Sequence, residues 1–343
     1  MAPNAPDERA RGVAYAVSTY LAWGLLPLYF KALRAVPAVE VLAHRVVWSL
    51  LLVAVLLAAR PGARAAFTAP LRRLPILSVT TALIGTNWLV YIWAVQSGRV
   101  LEASLGYFVN PLVNVLLGVA FLGERLSGRQ RTAVALAGAG VAVLVLRAGT
   151  FPWVALVLAA SFGLYGLLRK RAAIEPVGAL FAETALLAPA AVALLAWRAA
   201  TGVGAFGTSA GLSLLLAAAG PITALPLVAF GLAVHRLRLS TMGLVQYLTP
   251  TGQFLLAVFL YREPFGPAHA AAFGLIWTSL ALYSWDALLR SRGAQPEARA
   301  AGRRPPGAPA GSLPGPGPVG PLPSPRGGRK DETNPTVSRR RRP

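Results

Sequence analysis

The segment PLVNVLLGVAFLGE at residues 111–124 has a counterpart in the second half of the chain, PTGQFLLAVFLYRE at residues 250–263. Both segments begin with proline, continue through apolar residues and close with glutamate. The displacement that takes Pro111 to Pro250, called the repeat offset below, also takes Gly24 to Gly163. Several matched positions at one offset predict an internal repeat, in which each copy is one structural unit.

The composition indicates a membrane protein. Residues of the AVILMFWYC set make up 55% of the 343-residue chain and charged residues only 13%, with a mean hydropathy of +0.57. Soluble domains are about 45–50% apolar and about 25% charged, so an ordinary soluble enzyme and a disordered protein are both excluded. The chain has no cysteine and three histidines. We therefore expect no metal site, no cofactor and no enzymatic activity.

Ten apolar runs occupy almost the whole chain before residue 290. Each is close to the roughly 20 residues that a membrane-spanning helix needs. In lipid, a helix satisfies its own backbone hydrogen bonds, so runs of this length predict helices. The sequence thus predicts an all-α polytopic membrane protein with ten transmembrane helices, at residues 12–30, 41–59, 76–96, 101–122, 131–147, 152–169, 177–197, 212–234, 240–260 and 268–289.

The repeat divides these runs into two units of five, residues 12–147 and residues 152–289. An odd number of spans inserts the second unit upside down relative to the first. Inverted repeats of this kind are typical of secondary transporters, whose substrate site lies between the halves near the middle of the bilayer.

Charge predicts the orientation and the character of the two ends. Lys and Arg residues are more frequent in the loops on the side of the N-terminus, which places residues 1–11 and both termini in the cytoplasm. Residues 290–343 are rich in Pro, Gly and Arg, a composition that predicts a disordered tail. The net charge of +21 is then explained by topology and by a basic tail drawn to anionic lipid headgroups. A tail that binds a partner or nucleic acid is the alternative; we do not expect nucleic acid.

Several long segments resemble a known family. They are WGLLPLYFKAL (23–33), LEASLGYFVNPLVNVLLGVAFLGERL (101–126), SFGLYGLLRK (161–170) and the stretch 223–265 that contains STMGLVQYLTPTGQFLLAVFLYREPF. Together they resemble the RarD family of EamA-type permeases, in the drug/metabolite transporter superfamily. The resemblance implies ten helices in two inverted repeats, an inner-membrane location and permeation or export of small metabolites. The family name is tied to chloramphenicol sensitivity.

Three of the ionisable residues inside the predicted spans are candidates for function, because a charge within the membrane is costly. His44 and Arg45 lie near the start of the second span, and Glu183 lies in the seventh. The repeat offset places Glu183 opposite His44. A histidine beside a carboxylate can relay a proton, because histidine titrates near neutral pH. A structural ion pair, with Arg45 as the partner of Glu183, is the alternative.

Polar residues around the two prolines predict a substrate path. A proline inside a helix frees a backbone carbonyl, which is tolerated at membrane depth where it lines a cavity. Interrupted spans in corresponding positions of two halves indicate the transport site. The candidate path residues are Asn87, Tyr91, Ser104, Tyr107, Asn110, Pro111, Asn114, Gln246, Tyr247, Pro250 and Gln253. Polar side chains that only join neighbouring helices are the alternative.

These observations predict a secondary transporter that moves small metabolites or amphipathic drugs by alternating access. The bilayer and a small-molecule substrate are then its partners. A passive channel or a structural membrane component is the alternative, and a membrane-embedded enzyme is a weaker one because no nucleophile, acid–base pair or metal site is apparent.

Overall fold

The computed structural model describes residues 6–59, 73–123, 126–147, 151–172, 176–234, 236–237, 241–242 and 245–301. All regular secondary structure in these segments is helical. The described residues between 6 and 293 belong to one compact unit.

The helices follow the order of the apolar runs. They are α1 (Pro6–Gly24), α2 (Leu26–Ala32), α3 (Ala38–Ala58), α4 (Leu74–Gln96), α5 (Val100–Leu122), α6 (Gly128–Arg147), α7 (Trp153–Ala172), α8 (Pro176–Ala200), α9 (Ala210–Val234), α10 (Leu248–Leu255, continued by a π-helical turn over Leu256–Leu260) and α11 (Pro267–Ala301).

The prediction of an all-α membrane protein is confirmed. Within the described segments, seven stretches are long and apolar enough to cross a membrane: Ala10–Ala32, Ala38–Ala58, Leu74–Gln96, Val100–Phe121, Gly128–Arg147, Val177–Ala200 and Ala210–Ala233. Two apolar helices are shorter, Trp153–Arg169 and Leu248–Leu260. The chain is therefore a multi-pass membrane protein, with fewer full-length spans in the described segments than the ten predicted.

Prolines cause two of the differences from the predicted spans. The first run is split at Leu25, since Pro27 lies in the first turn of α2 and its ring would clash with a carbonyl one turn earlier if α1 continued. In the ninth run the chain turns at residues 246–247, and α10 places Pro250 in its first turn, where a missing N–H costs little. By contrast, α5 continues through Pro111.

Helix α11 runs to Ala301 and so extends into the segment that the sequence predicts as a disordered tail from residue 290. The four Ala and three Arg residues of segment 290–301 favour this helix, although Gly293 and Pro296 do not. Residues 302–343 lie outside the described residues, and the binding of the tail to anionic lipid stays a prediction.

Small residues allow the helices to pack closely. Helix α3 packs against α8 and α9, α1 packs against α9 and α10, and α7 packs against α4 and α5. At Gly220 of α9, a Cβ atom would lie only 2.6 Å from the carbonyl oxygen of Trp48 in α3. At Gly106 of α5, it would lie 2.8 Å from the carbonyl oxygen of Ala155 in α7. Such close backbone approach is a common basis of helix association in membranes.

Carboxylates outside the centre tie loops to helix ends. Glu263 accepts hydrogen bonds from the backbone N–H groups of Val100 (2.8 Å) and Leu101 (2.7 Å), at the start of α5. Glu40 accepts one from the N–H of Ala205 (2.7 Å) and pairs with Arg198 (2.8 Å). The orphan N–H groups of a helix N-terminus favour a negative partner, so Glu263 holds the loop before α11 against α5.

The cap at Glu263 predicts a pH dependence of stability. Burial of this loop carboxyl raises its pKa above 4.5, although the two N–H donors oppose the shift. Because the folded state then holds its proton more tightly than the unfolded state, stability should fall as the pH rises above about 4.5 through the folded pKa.

Glu263→Gln should lack this slope, since its side chain does not titrate. Apparent melting temperatures of the two purified proteins from acidic to neutral pH provide the measurement, and groups common to both cancel in the difference. A constant difference at every pH would contradict the prediction.

Candidate functional site

A cavity of about 460 Å³ lies among the helices of the compact unit. This volume is within the range of pockets that hold drug-sized ligands, about 300–1,000 Å³. Its wall comes from α1 to α5, α7 to α10 and the turn before α10, so both halves of the chain contribute. Among the described residues, no Asp or Glu belongs to this wall, which is formed by aromatic, amide, hydroxyl and guanidinium groups.

Most of the candidate path residues lie on this wall. They are Asn87, Tyr91, Tyr107, Asn110, Pro111, Gln246, Tyr247, Pro250 and Gln253. Ser104 and Asn114 lie elsewhere. Ser104 is buried and donates a hydrogen bond to the carbonyl of Leu101 (2.9 Å), one turn earlier in its own helix. Asn114 is exposed. Spacing identifies one face of α5, but it does not say how far along that face the cavity extends.

Aromatic rings form much of the remaining wall. On the side of α1 and α9, Tyr20, Trp23 and Phe230 pack against one another with ring centroids 5.6–6.2 Å apart. On α4 and α5, the rings of Tyr91 and Tyr107 meet edge to face at 5.7 Å. Flat apolar surfaces of this kind suit a ligand with an aromatic or planar body.

Arg45 of α3 is the most unusual residue of the wall. It is only 8% exposed, and its guanidinium lies 4.2 Å from the ring centroid of Trp88 and 5.8 Å from that of Phe30. Its Nε atom has no hydrogen-bond partner, and among the described residues no carboxylate pairs with it.

A cation–π contact contributes about 2 kcal/mol when it is desolvated. Burying an ion costs several kcal/mol even after relaxation. The contact with Trp88 therefore offsets only part of the cost of burying Arg45.

The structure does not bring the three predicted ionisable residues together. His44 stacks on Phe206, with ring centroids 5.3 Å apart. Glu183 accepts hydrogen bonds from Thr80 (2.9 Å) and Tyr165 (3.1 Å). Neither the His44–Glu183 contact nor the ion pair with Arg45 that the sequence suggests occurs among the described residues. Consecutive residues of a helix point about 100° apart, so His44 and Arg45 face different neighbours.

Tyr165 and Arg169, the two polar wall residues of α7, are absent from the sequence-based candidates. The guanidinium of Arg169 lies 5.8 Å from the ring centroid of Tyr165 and acts electrostatically on Glu183. The sequence contained a signal for them, since Tyr165 and Arg169 are four residues apart and share one helix face. At the end of an apolar run, however, an arginine is indistinguishable from one that faces the cytoplasm.

Five of the twelve buried side-chain polar atoms that lack a hydrogen-bond partner in the described segments lie on this wall. They are Arg45 Nε, Tyr91 Oη, Asn110 Oδ1, Arg169 Nη1 and Gln253 Oε1. A buried polar group that lacks a hydrogen bond costs about 1–3 kcal/mol. The cavity therefore offers both donors and acceptors that a polar ligand or water can satisfy.

Comparison with known proteins decides the family. A family model described as the EamA-like transporter family matches residues 10–146. An "Uncharacterized transporter" of Vibrio cholerae is 45% identical over 298 residues, which cover 86% of this chain and 98% of that protein. "Protein RarD" of Streptomyces exfoliatus is 42% identical, covering 87% of this chain and 96% of that protein. The chain belongs to the RarD group of EamA-like transporters.

A solved structure supports the fold of this RarD-type chain. A crystallised chain that is 20% identical superposes with a TM-score of 0.51, over 82% of this chain and 98% of that one. The names of the relatives are those of transporters rather than enzymes. The RarD-type chain is therefore a membrane transporter, with the bilayer as its surroundings and a small molecule as its cargo.

Proposed function

We propose that the chain is a secondary transporter of small metabolites or amphipathic drugs, working by alternating access across the bacterial inner membrane with both termini in the cytoplasm. The observation that carries the proposal is the cavity, whose wall combines aromatic rings with buried polar atoms that have no partner among the described residues. A structural membrane component has no need to keep such costly groups facing a cavity.

Hydrogen bonds between the two halves support an inverted repeat. Thr19 of α1 donates to the carbonyl of Pro226 in α9 (3.2 Å), and Asn87 of α4 donates to the carbonyl of Leu158 in α7 (3.1 Å). The repeat offset takes Thr19 to Leu158 and Asn87 to Pro226. The two bonds therefore join equivalent positions with the halves exchanged, as a two-fold axis between the halves requires.

Close contacts between helices are also related by the repeat offset with the two halves exchanged. A Cβ atom on Gly252 of α10 would lie 3.4 Å from the Cα atom of Gly24 in α1. A Cβ atom on Gly163 of α7 would lie 2.9 Å from a methyl group of Val113 in α5. The repeat offset exchanges these pairs. Two halves that pack in equivalent ways can swap conformations, which opens a central site first to one side and then to the other.

Proton coupling is part of the proposal. Glu183 is buried and accepts hydrogen bonds from two hydroxyl groups. It also interacts electrostatically with Arg169 on the cavity wall. A proton on Glu183 would thus change the electrostatic balance of the wall. His44 would join such a relay only through intervening groups, since its ring contacts Phe206 instead.

Flux into proteoliposomes that contain the purified full chain tests the proposal. Chloramphenicol, suggested by the family resemblance, and a panel of aromatic metabolites are the compounds to supply, with and without an imposed pH gradient. We expect saturable flux that the gradient accelerates. Absence of saturable flux for every compound would contradict transport, and equal flux by Glu183→Gln and His44→Ala would contradict the proton relay.

A further inference from the structure

We infer that the transported substrate is an organic oxyanion, a carboxylate or phosphate ester with a flat apolar body, whose negative group binds Arg45. This inference rests on the proposed function, because it takes the bound molecule to be a transported substrate. It deepens that function by assigning a charge to the cargo and a residue to its recognition.

The described carboxylates already have partners other than Arg45. Each acidic side chain with described contacts is engaged away from Arg45. Glu8 pairs with Arg236, Glu40 with Arg198, Glu102 with Arg99 and Asp286 with Arg129, while Glu183 and Glu263 accept hydrogen bonds. The charge of Arg45 is therefore not balanced by any group of the described chain.

Arg45 brings an N–H donor without a partner to the cavity wall. Arg45 is more than nine-tenths buried, lines the cavity and keeps an Nε atom without a partner. Arg169 adds a second guanidinium to the same wall, although Glu183 acts on that charge. Since no carboxylate of the described segments lines the cavity, its wall is electropositive. A guanidinium presents several N–H donors in a plane, which matches the geometry of a carboxylate or phosphate.

Aromatic rings near Arg45 fit the apolar body of such a ligand. The ring of Trp88 holds one side of the guanidinium, so the planar group is fixed in direction before a ligand arrives. The rings of Tyr91, Tyr107 and Phe162 lie on the same wall. An anionic head on Arg45 would thus place an apolar body against aromatic surface. The amide oxygens of Asn110 and Gln253 would then accept hydrogen bonds from donors on that body.

Binding of three phenyl compounds to the purified full chain tests the inference. Phenylacetate and phenyl phosphate carry the two kinds of oxyanion, and phenylacetamide is the neutral analogue of the first. We expect at least one anion to raise the melting temperature and to bind about tenfold or more tightly than the amide, a difference of about 1.4 kcal/mol. Whichever anion binds more tightly identifies the headgroup. Equal binding of all three compounds, or binding of the amide alone, would overturn the inference.

Variants test whether Arg45 is the residue that causes the preference for the anion. Arg45→Gln should abolish the preference for the anion, and Arg34→Gln, which removes an exposed arginine at the end of α2, should retain it. Without ligand, Arg45→Gln should be at least as stable as the wild type, because the cost of burying the charge exceeds what the contact with Trp88 contributes. A purely structural arginine would give a less stable variant with the anion preference unchanged, which would overturn the inference.

The same compounds separate this inference from the proposed function. Saturable flux of neutral compounds without any binding of the anions would overturn the anion site and leave transport standing. Binding of an anion at Arg45 without flux of any compound would preserve the site and contradict transport.

Discussion

Replacing Gly220 with alanine should destabilise the protein by about 1–3 kcal/mol, the usual cost of inserting atoms into a packed helix contact. The added Cβ atom would lie 2.6 Å from the carbonyl oxygen and 2.8 Å from the carbonyl carbon of Trp48 in α3. Both are backbone atoms, so no side-chain rotation relieves the overlap and α9 must move away from α3. The expected result is a melting temperature several degrees lower in thermal unfolding of the purified protein.

Gly231 provides the matched control in the same helix. A Cβ atom there meets no atom within 4 Å, so Gly231→Ala adds only the helix preference of alanine. We expect it to be neutral or stabilising by about 0.5–1 kcal/mol. Equal melting temperatures of the two variants would contradict the close packing of α3 and α9, and with it the geometry of the cavity between them.

Replacing Gly166 with phenylalanine should abolish most transport while leaving the fold intact. Gly166 lies on the cavity wall, and a Cβ atom there meets no atom within 4 Å. A benzyl group can therefore enter the space that the substrate would occupy without displacing a neighbour near its attachment point. We expect flux in proteoliposomes to fall about tenfold or more, equivalent to at least about 1.4 kcal/mol.

Gly274 of α11 is the control for this variant. It also has no atom within 4 Å of a Cβ position, but it lies away from the cavity wall. Gly274→Phe should transport as the wild type does. Transport retained by Gly166→Phe, with a melting temperature like that of the wild type, would show that the substrate does not pass through this cavity.

Local patterns in the sequence, namely hydropathy and residue spacing, predict the helices and much of the cavity wall. Hydropathy and length predict the spans because each helix satisfies its own backbone, and the three- and four-residue spacing of Tyr107, Asn110 and Asn114 predicts one face of α5. The spacing does not tell where the cavity ends, and so Asn114 lies outside it. Pro27 splits the first run into two helices, which the hydropathy of the run conceals.

The sequence did not predict which side chains from distant parts of the chain contact one another. The repeat offset places Glu183 opposite His44, but that relation concerns backbone positions and not the direction of side chains. Glu183 instead finds hydroxyl donors on α4 and α7, and Arg45 finds the ring of Trp88. The repeat remains informative where backbone groups meet, as in the exchanged bonds of Thr19 and Asn87.

The most direct test of alternating access uses the absence of cysteine from the sequence. In Gly166→Cys, the only thiol lies on the cavity wall, where its Cβ atom meets no neighbour within 4 Å. A membrane-impermeant maleimide is applied to right-side-out and to inverted membrane vesicles, and the labelled fraction is measured by mass spectrometry. A site that opens in turn to each side predicts labelling in both preparations. Labelling from one side only would contradict alternating access through this cavity.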